Sequence, residues 1–260
     1  MSAKKAPAKK KAQKGFYTLS LTPEKDGDLF YPEYSILVKT IESVNNFYDL
    51  YKVGRRGASG PSTHEQQDLY RAMLVFACAG LDVFVKKLVK EKLPELIPVD
   101  QEVEKKFVEY AQKGLRDEKV LSSTLALALV SSVPRTVFLN EYIKSMTDDS
   151  LQSVEALCTV SRASGLDTKK IFNKTRIDSL REAFTVRNEI IHEMDINTDS
   201  KTSGRTTGHR TRRQRVSTAM EKHTQSILDL GQELLTAYKD KFQKFRIGVL
   251  KPTVPKAPTS

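Results

Sequence analysis

Residues 72–85 are apolar on every side when wound onto a helix, apart from Asp82, and this run limits the possible folds more than any other part of the chain. A helix that is apolar all round belongs at the centre of a helical assembly, because no single packed face would satisfy it. The run is too short to cross a bilayer, which takes about 20 residues. It lies within a longer predicted helix, opened by Ser62-Thr63-His64-Glu65 as a capping box and ended by Pro94 and Pro98.

The helical period continues on both sides. Residues 34–53 place Ile36, Leu37, Ile41, Val44, Phe47, Tyr48 and Tyr51 on one stripe, and the glycine-rich loop 54–61 breaks it. Shorter helices are predicted at about 99–114, 119–131, 135–146 and 149–163, and a longer one at 176–194. A polar loop follows over 195–213, then a final helix at about 214–245. On that helix Val216, Met220, His223, Ile227, Leu230, Leu234 and Tyr238 share a stripe. No segment reads as a strand, and no internal repeat is visible. The expected fold is all-α, a helical bundle of long antiparallel helices with shorter helices inserted over about 95–174. It forms one domain over residues 16–250, flanked by tails at 1–15 and 251–260 that lack apolar periodicity and are expected to be disordered.

Charge is unevenly placed. The net charge is +11, yet residues 1–15 hold six lysines and no acid, and residues 201–215 hold six lysines and arginines and no acid. Lys251 and Lys256 add to the C-terminal tail, leaving the rest of the chain slightly acidic. Such segments suit a polyanion, most simply nucleic acid, through counterion release. Arg205, Arg210, Arg212, Arg213 and Arg215 in the basic loop 195–215 are therefore candidate RNA-binding residues, whereas the N-terminal lysines read equally well as a solubilising tail. Cys78 and Cys158 are too few for a disulfide framework and lack partners at metal-ligand spacing. No apolar stretch follows the basic N-terminus, so a reduced, cytoplasmic protein without a membrane segment is expected. The phosphate-binding P-loop, the Gly-x-Ser-x-Gly elbow and metal-ligand clusters are all missing.

One charge is out of place. On the 176–194 helix, Ile177, Leu180, Ala183, Phe184, Ile190, Ile191 and Met194 gather on an apolar face, and Arg187 falls near its middle with Asn188 and His192 at its edge. A guanidinium aimed into a core needs a carboxylate, a phosphate or a wet cleft. Asp82, the lone acid of its apolar run, is the expected partner that would fix the arginine's orientation. Of the four histidines, His64 is expected to be solvated, His209 to aid anion binding, and His223 to be a satisfied core residue. His192 stands beside an arginine and an asparagine, a set suited to phosphodiester chemistry. Its imidazole exchanges a proton near neutral pH, and the guanidinium offsets charge on a phosphate. Helix ends also favour Arg and His through the macrodipole alone.

The sequence Arg187-Asn188 followed by His192, at the end of a helix with a loop and another long helix after it, resembles the signature of the HEPN superfamily. The run from Leu69 to Val85, with Asp82 after an apolar stretch, resembles that family's core helix. The likeness spans about 34–245 and is greatest to the RiboL-PSP-HEPN group; the insert between Pro94 and Lys174 departs from a minimal unit. The resemblance implies a HEPN-like core and a homodimeric endoribonuclease that needs no metal or cofactor. Arg187, Asn188 and His192 of two copies would meet in one composite site and leave 2′,3′-cyclic phosphate products. Glu193, directly after the histidine, would tune the imidazole or stand as a solvated acid. A toxin or phage-defence role, with a separate antitoxin or sensor protein as partner, is also implied. The competing expectations are a non-catalytic helical RNA- or DNA-binding protein, and an interaction module built on the final helix.

Overall fold

The computed structural model describes residues 16–116, 123–196 and 212–249, and four long helices form its frame. They are α1 (Tyr31–Gly54), α2 (His64–Leu96), α8 (Lys174–His192) and α9 (Ser217–Val249). Between α2 and α8 lie α3 (Gln101–Arg116), α4 (Ser123–Val130), α5 (Pro134–Thr147), α6 (Val154–Ala163) and the single turn α7 (Thr168–Ile171). The chain is all-α, and among the described residues the only β pairing is an isolated bridge between Ile196 and Arg212. No helix among these residues is long and apolar enough to cross a membrane.

Local chemistry explains most boundaries. Thr63, not Ser62, caps α2: its hydroxyl accepts from the Gln66 N–H at 3.3 Å, and the Gln66 side chain accepts from the Thr63 N–H at 3.1 Å. Asn173 caps α8 by accepting from the Arg176 N–H at 3.0 Å. Contrary to expectation, α2 does not stop at Pro94 but runs through it to Leu96. The carbonyl left without a donor belongs to Lys90, which is exposed and can turn to water, so the usual cost of an interior proline is reduced.

Consecutive long helices are antiparallel, so α2 and α9 run the same way: Tyr70 donates to Glu221 near one end, and Leu81 lies under Gly231 further along. Gly80 is where α1 and α2 approach most closely, since a Cβ there would overlap the Thr40 side chain, whose hydroxyl is already committed to the Ile36 carbonyl. Gly80→Ala should therefore lower stability by about 1–3 kcal/mol despite alanine's better helix propensity. A denaturant titration giving an unchanged or raised midpoint would contradict this packing. The segment before α1 is strapped across the bundle. Tyr17 is buried and pairs through its backbone with Asn45, and the Ser20 N–H donates to Gln232 of α9 at 2.7 Å.

The central helix differs from expectation in a way that matters for function. Tyr70, Met73, Leu74, Ala77, Cys78, Leu81, Phe84 and Val85 are buried, but Phe76 is 48 % and Val83 54 % exposed. Ala79 is exposed between them, with Ala72 and Val75 half-buried beside it. Nothing in this chain covers that stripe among the described residues.

Candidate active site

The end of α8 is held by a cluster of ion pairs. Asp195 has no solvent exposure; its carboxylate accepts from Arg71 Nε at 2.7 Å and from Arg215 Nη2 at 2.5 Å. The same Arg215 Nη2 donates to Glu189 at 2.5 Å, and Arg213 Nη1 pairs with Glu189 at 2.5 Å. Arg71 also donates to the Arg213 carbonyl at 2.8 Å and pairs with Asp68, which in turn holds Arg212 at 2.6 Å. Gln67 bridges Gln214 and the Arg215 N–H. Burial alone would raise the carboxyls of Asp195 and Glu189, but the guanidinium hydrogen bonds outweigh it and hold both below the usual range.

These contacts bear on two expectations. Arg212, Arg213 and Arg215, expected to bind RNA, are also paired with acids of their own chain, because Asp68, Glu189, Glu193 and Asp195 surround the point where α9 begins; those pairs fasten the loop ends. Glu193 lies 3.5 Å from Arg213, and among the described residues no ion pair or hydrogen bond joins it to the imidazole it follows. Arg205, Arg210 and His209 lie outside the described residues. Arg71 and Asp195 were not anticipated. Arg71 sits between Tyr70 and Met73 on the buried face of α2, so the reasoning that singled out Arg187 applies equally to it.

The expected Asp82–Arg187 contact is absent. Asp82 instead accepts from the Leu151 N–H at 2.6 Å and pairs with Lys86 at 3.1 Å. Helices α2 and α8 are antiparallel, with Arg71 against Asp195 at one end and Cys78 beside Arg187 further along. Asp82 is one turn beyond Cys78, too far along α2, and ties that helix to the chain entering α6.

Arg187 does sit on the inner side of α8. It is half-buried, its Nε is fully buried with no hydrogen-bond partner, and its Nη1 donates to Asn188 Oδ1 at 2.9 Å. Among the described residues no carboxylate pairs with it. Burial pushes the neighbouring Cys78 thiol up to about 12, although the Arg187 charge opposes that rise. Leu180, Ala183, Phe184 and the unanticipated Val186 are buried, whereas Ile191 and Met194 are 38 % and 58 % exposed, off the core face assigned to them. Asn188 and His192, one turn apart, are both exposed, and no hydrogen-bond partner of His192 is found among the described residues.

Helical offsets from the α2–α8 contact line decide which way these groups face. In antiparallel helices, residues advanced by about 40–160° from that line fall on the same side of the pair. That side carries Ala72, Val75, Phe76, Ala79 and Val83 on α2, and Asn188, Ile191 and His192 on α8. The Arg187-Asn188-His192 set and the uncovered apolar stripe thus form one continuous face.

His223 is buried as expected but not satisfied. Its Nδ1 has no hydrogen-bond partner among the described residues, and Nε2 is 4.0 Å from Glu182. Burial lowers its pKa, so the folded protein resists binding that proton. Stability should fall as pH drops below about 6.5, the unperturbed value. In His223→Gln this portion of the pH dependence should flatten, as read from thermal midpoints between pH 7.5 and 5; an unaltered slope would contradict it.

Among the described residues, no three His, Cys, Asp or Glu side chains converge at metal-binding spacing. No curated protein and no solved structure is significantly similar to the chain. A family model, RiboL-PSP-HEPN, matches residues 35–207, which takes in most of α1 and all of α2 through α8 with the Arg187-Asn188-His192 set and ends before α9. The chain belongs to the RiboL-PSP-HEPN family of the HEPN superfamily.

Proposed function

We propose that the protein is an endoribonuclease whose site forms when two copies join through the face shared by α2 and α8. The observation that carries this reading is Arg187: half-buried, without a carboxylate among the described residues, and bonded to Asn188 on a face that is otherwise apolar and uncovered. A two-fold axis through that face would bury Phe76, Ala79 and Val83 and bring two Arg187-Asn188-His192 sets to one groove. RNA supplies the missing anion.

In the proposed reaction, one His192 imidazole takes the proton of a ribose 2′-hydroxyl as that oxygen attacks the adjacent phosphorus. The O2′–P bond forms, the P–O5′ bond breaks, and the partner subunit's His192 protonates the departing O5′. Products are a 2′,3′-cyclic phosphate and a 5′-hydroxyl. The two Arg187 guanidiniums hold the phosphate's non-bridging oxygens and offset the charge that builds on them. Asn188 orients Arg187 through the contact already present. The chemistry uses only side chains, so it is expected to proceed in EDTA.

Total RNA incubated in EDTA with wild-type protein should be fragmented, with cyclic-phosphate ends, and His192→Ala should leave it intact. Binding without cleavage by either protein would favour a non-catalytic RNA-binding role, which the basic segments would suit as well. A restraining partner such as an antitoxin, and a role in toxicity or phage defence, belong to the same proposal. Growth arrest on expression, relieved by His192→Ala, would support them.

A further inference from the structure

Resting on the ribonuclease reading, we propose that Asp195 is a positioning residue for His192, acting with Arg71 and Arg215 as a clamp across the end of α8. Three observations carry it. First, His192 is exposed at the last turn of α8 and has no hydrogen-bond partner among the described residues, so the backbone on either side decides where the ring is presented. Second, that backbone is strained immediately afterwards. Met194 and Asp195 are consecutive non-glycine residues in the left-handed region, with φ of 53° and 54°. Such residues persist only when their surroundings over-determine them, and they mark sites where a chain is held for a purpose. Third, the surroundings are of that kind. The Asp195 N–H donates to the Glu189 carbonyl at 3.0 Å and its carbonyl accepts from the Arg213 N–H at 2.7 Å, while its buried carboxylate takes both arginines.

The geometry of Arg215 turns this cluster into a clamp. A single nitrogen, Nη2, reaches Glu189 Oε2 and Asp195 Oδ1, both at 2.5 Å. Those acids lie three residues before and three residues after His192, so one guanidinium holds the chain on both sides of the imidazole. Arg71 then anchors the whole to α2, the helix that carries the uncovered apolar stripe. The position of His192 is thereby referenced to the surface on which a second copy would dock, and a composite site needs that registration.

Asp195→Asn keeps the size and removes the charge; Arg215→Lys keeps the charge and removes the fork. Each variant, as full-length protein, should be compared with wild type well below its melting temperature. Cleavage is followed on a labelled RNA, and binding on the same RNA with 2′-O-methyl riboses that cannot be cut. Both variants should lose at least about tenfold in kcat, with the dissociation constant for uncleavable RNA changed less than about threefold. The loss should be present at every pH, with the imidazole limb of the pH–rate profile unmoved, because the clamp places the ring without titrating it.

Amide hydrogen exchange across residues 189–196 reads the clamp independently of cleavage. It should quicken in both variants while protection in α2 is retained. Wild-type kcat in both variants, a loss confined to binding, or unchanged exchange would each overturn the inference. If the wild type cuts no RNA while both variants show the quickened exchange, the nuclease reading is refuted and the clamp stands.

Discussion

His192→Ala is expected to lower RNA cleavage by about 10²–10⁴-fold, the range for a positioned general acid or base. Stability should hardly change, since the side chain is exposed and has no partner among the described residues. Arg187→Ala should cost about 10²–10³-fold, comparable to removing one donor that stabilises charge in the transition state. Arg187→Lys should recover little of it. Lysine keeps the charge but loses the planar fork that bonds Asn188 while leaving other nitrogens for phosphate. Both losses should appear in kcat more than in RNA binding. Full cleavage by His192→Ala in EDTA would remove this side chain from the mechanism and overturn the site assigned to the reaction.

Phe76→Glu is expected to be nearly as damaging to activity while touching none of the reacting groups. Phe76 is 48 % exposed and lies about one turn from Ala79 and two from Val83 on the uncovered stripe, its ring 5.1 Å from that of Phe47. In the monomer the substitution forfeits that aromatic contact, about 0.5–1.5 kcal/mol, and the domain should still fold. In a two-fold interface each carboxylate would meet an apolar surface or its own symmetry mate, and desolvating it there is prohibitive. Sedimentation should show a dimer for wild type and a monomer for Phe76→Glu, with cleavage lost in parallel. An active monomer would separate the chemistry from dimerisation, and a wild-type monomer at micromolar concentration would contradict the composite site outright.

Much of this protein is determined by local rules. The 3.6-residue period placed the four long helices to within a few residues, because a helix needs only its own stripe and its own caps. The all-α class followed, as did the unusual setting of Arg187, since a charge on an apolar face is visible in one dimension. What surrounds such a charge is not. Which acid meets which arginine depends on helix register across more than a hundred residues of sequence: Arg71 found Asp195, and Asp82 found the Leu151 N–H instead of Arg187. The same limit hid the acids that pair with three arginines of the run read as polyanion-binding. Composition likewise made residues 72–85 apolar all round, but only the packed bundle decided that α1, α8 and α9 cover the helix incompletely. The stripe from Ala72 to Val83, left beside Arg187 and His192, is the part of the functional reading that tertiary structure alone supplied.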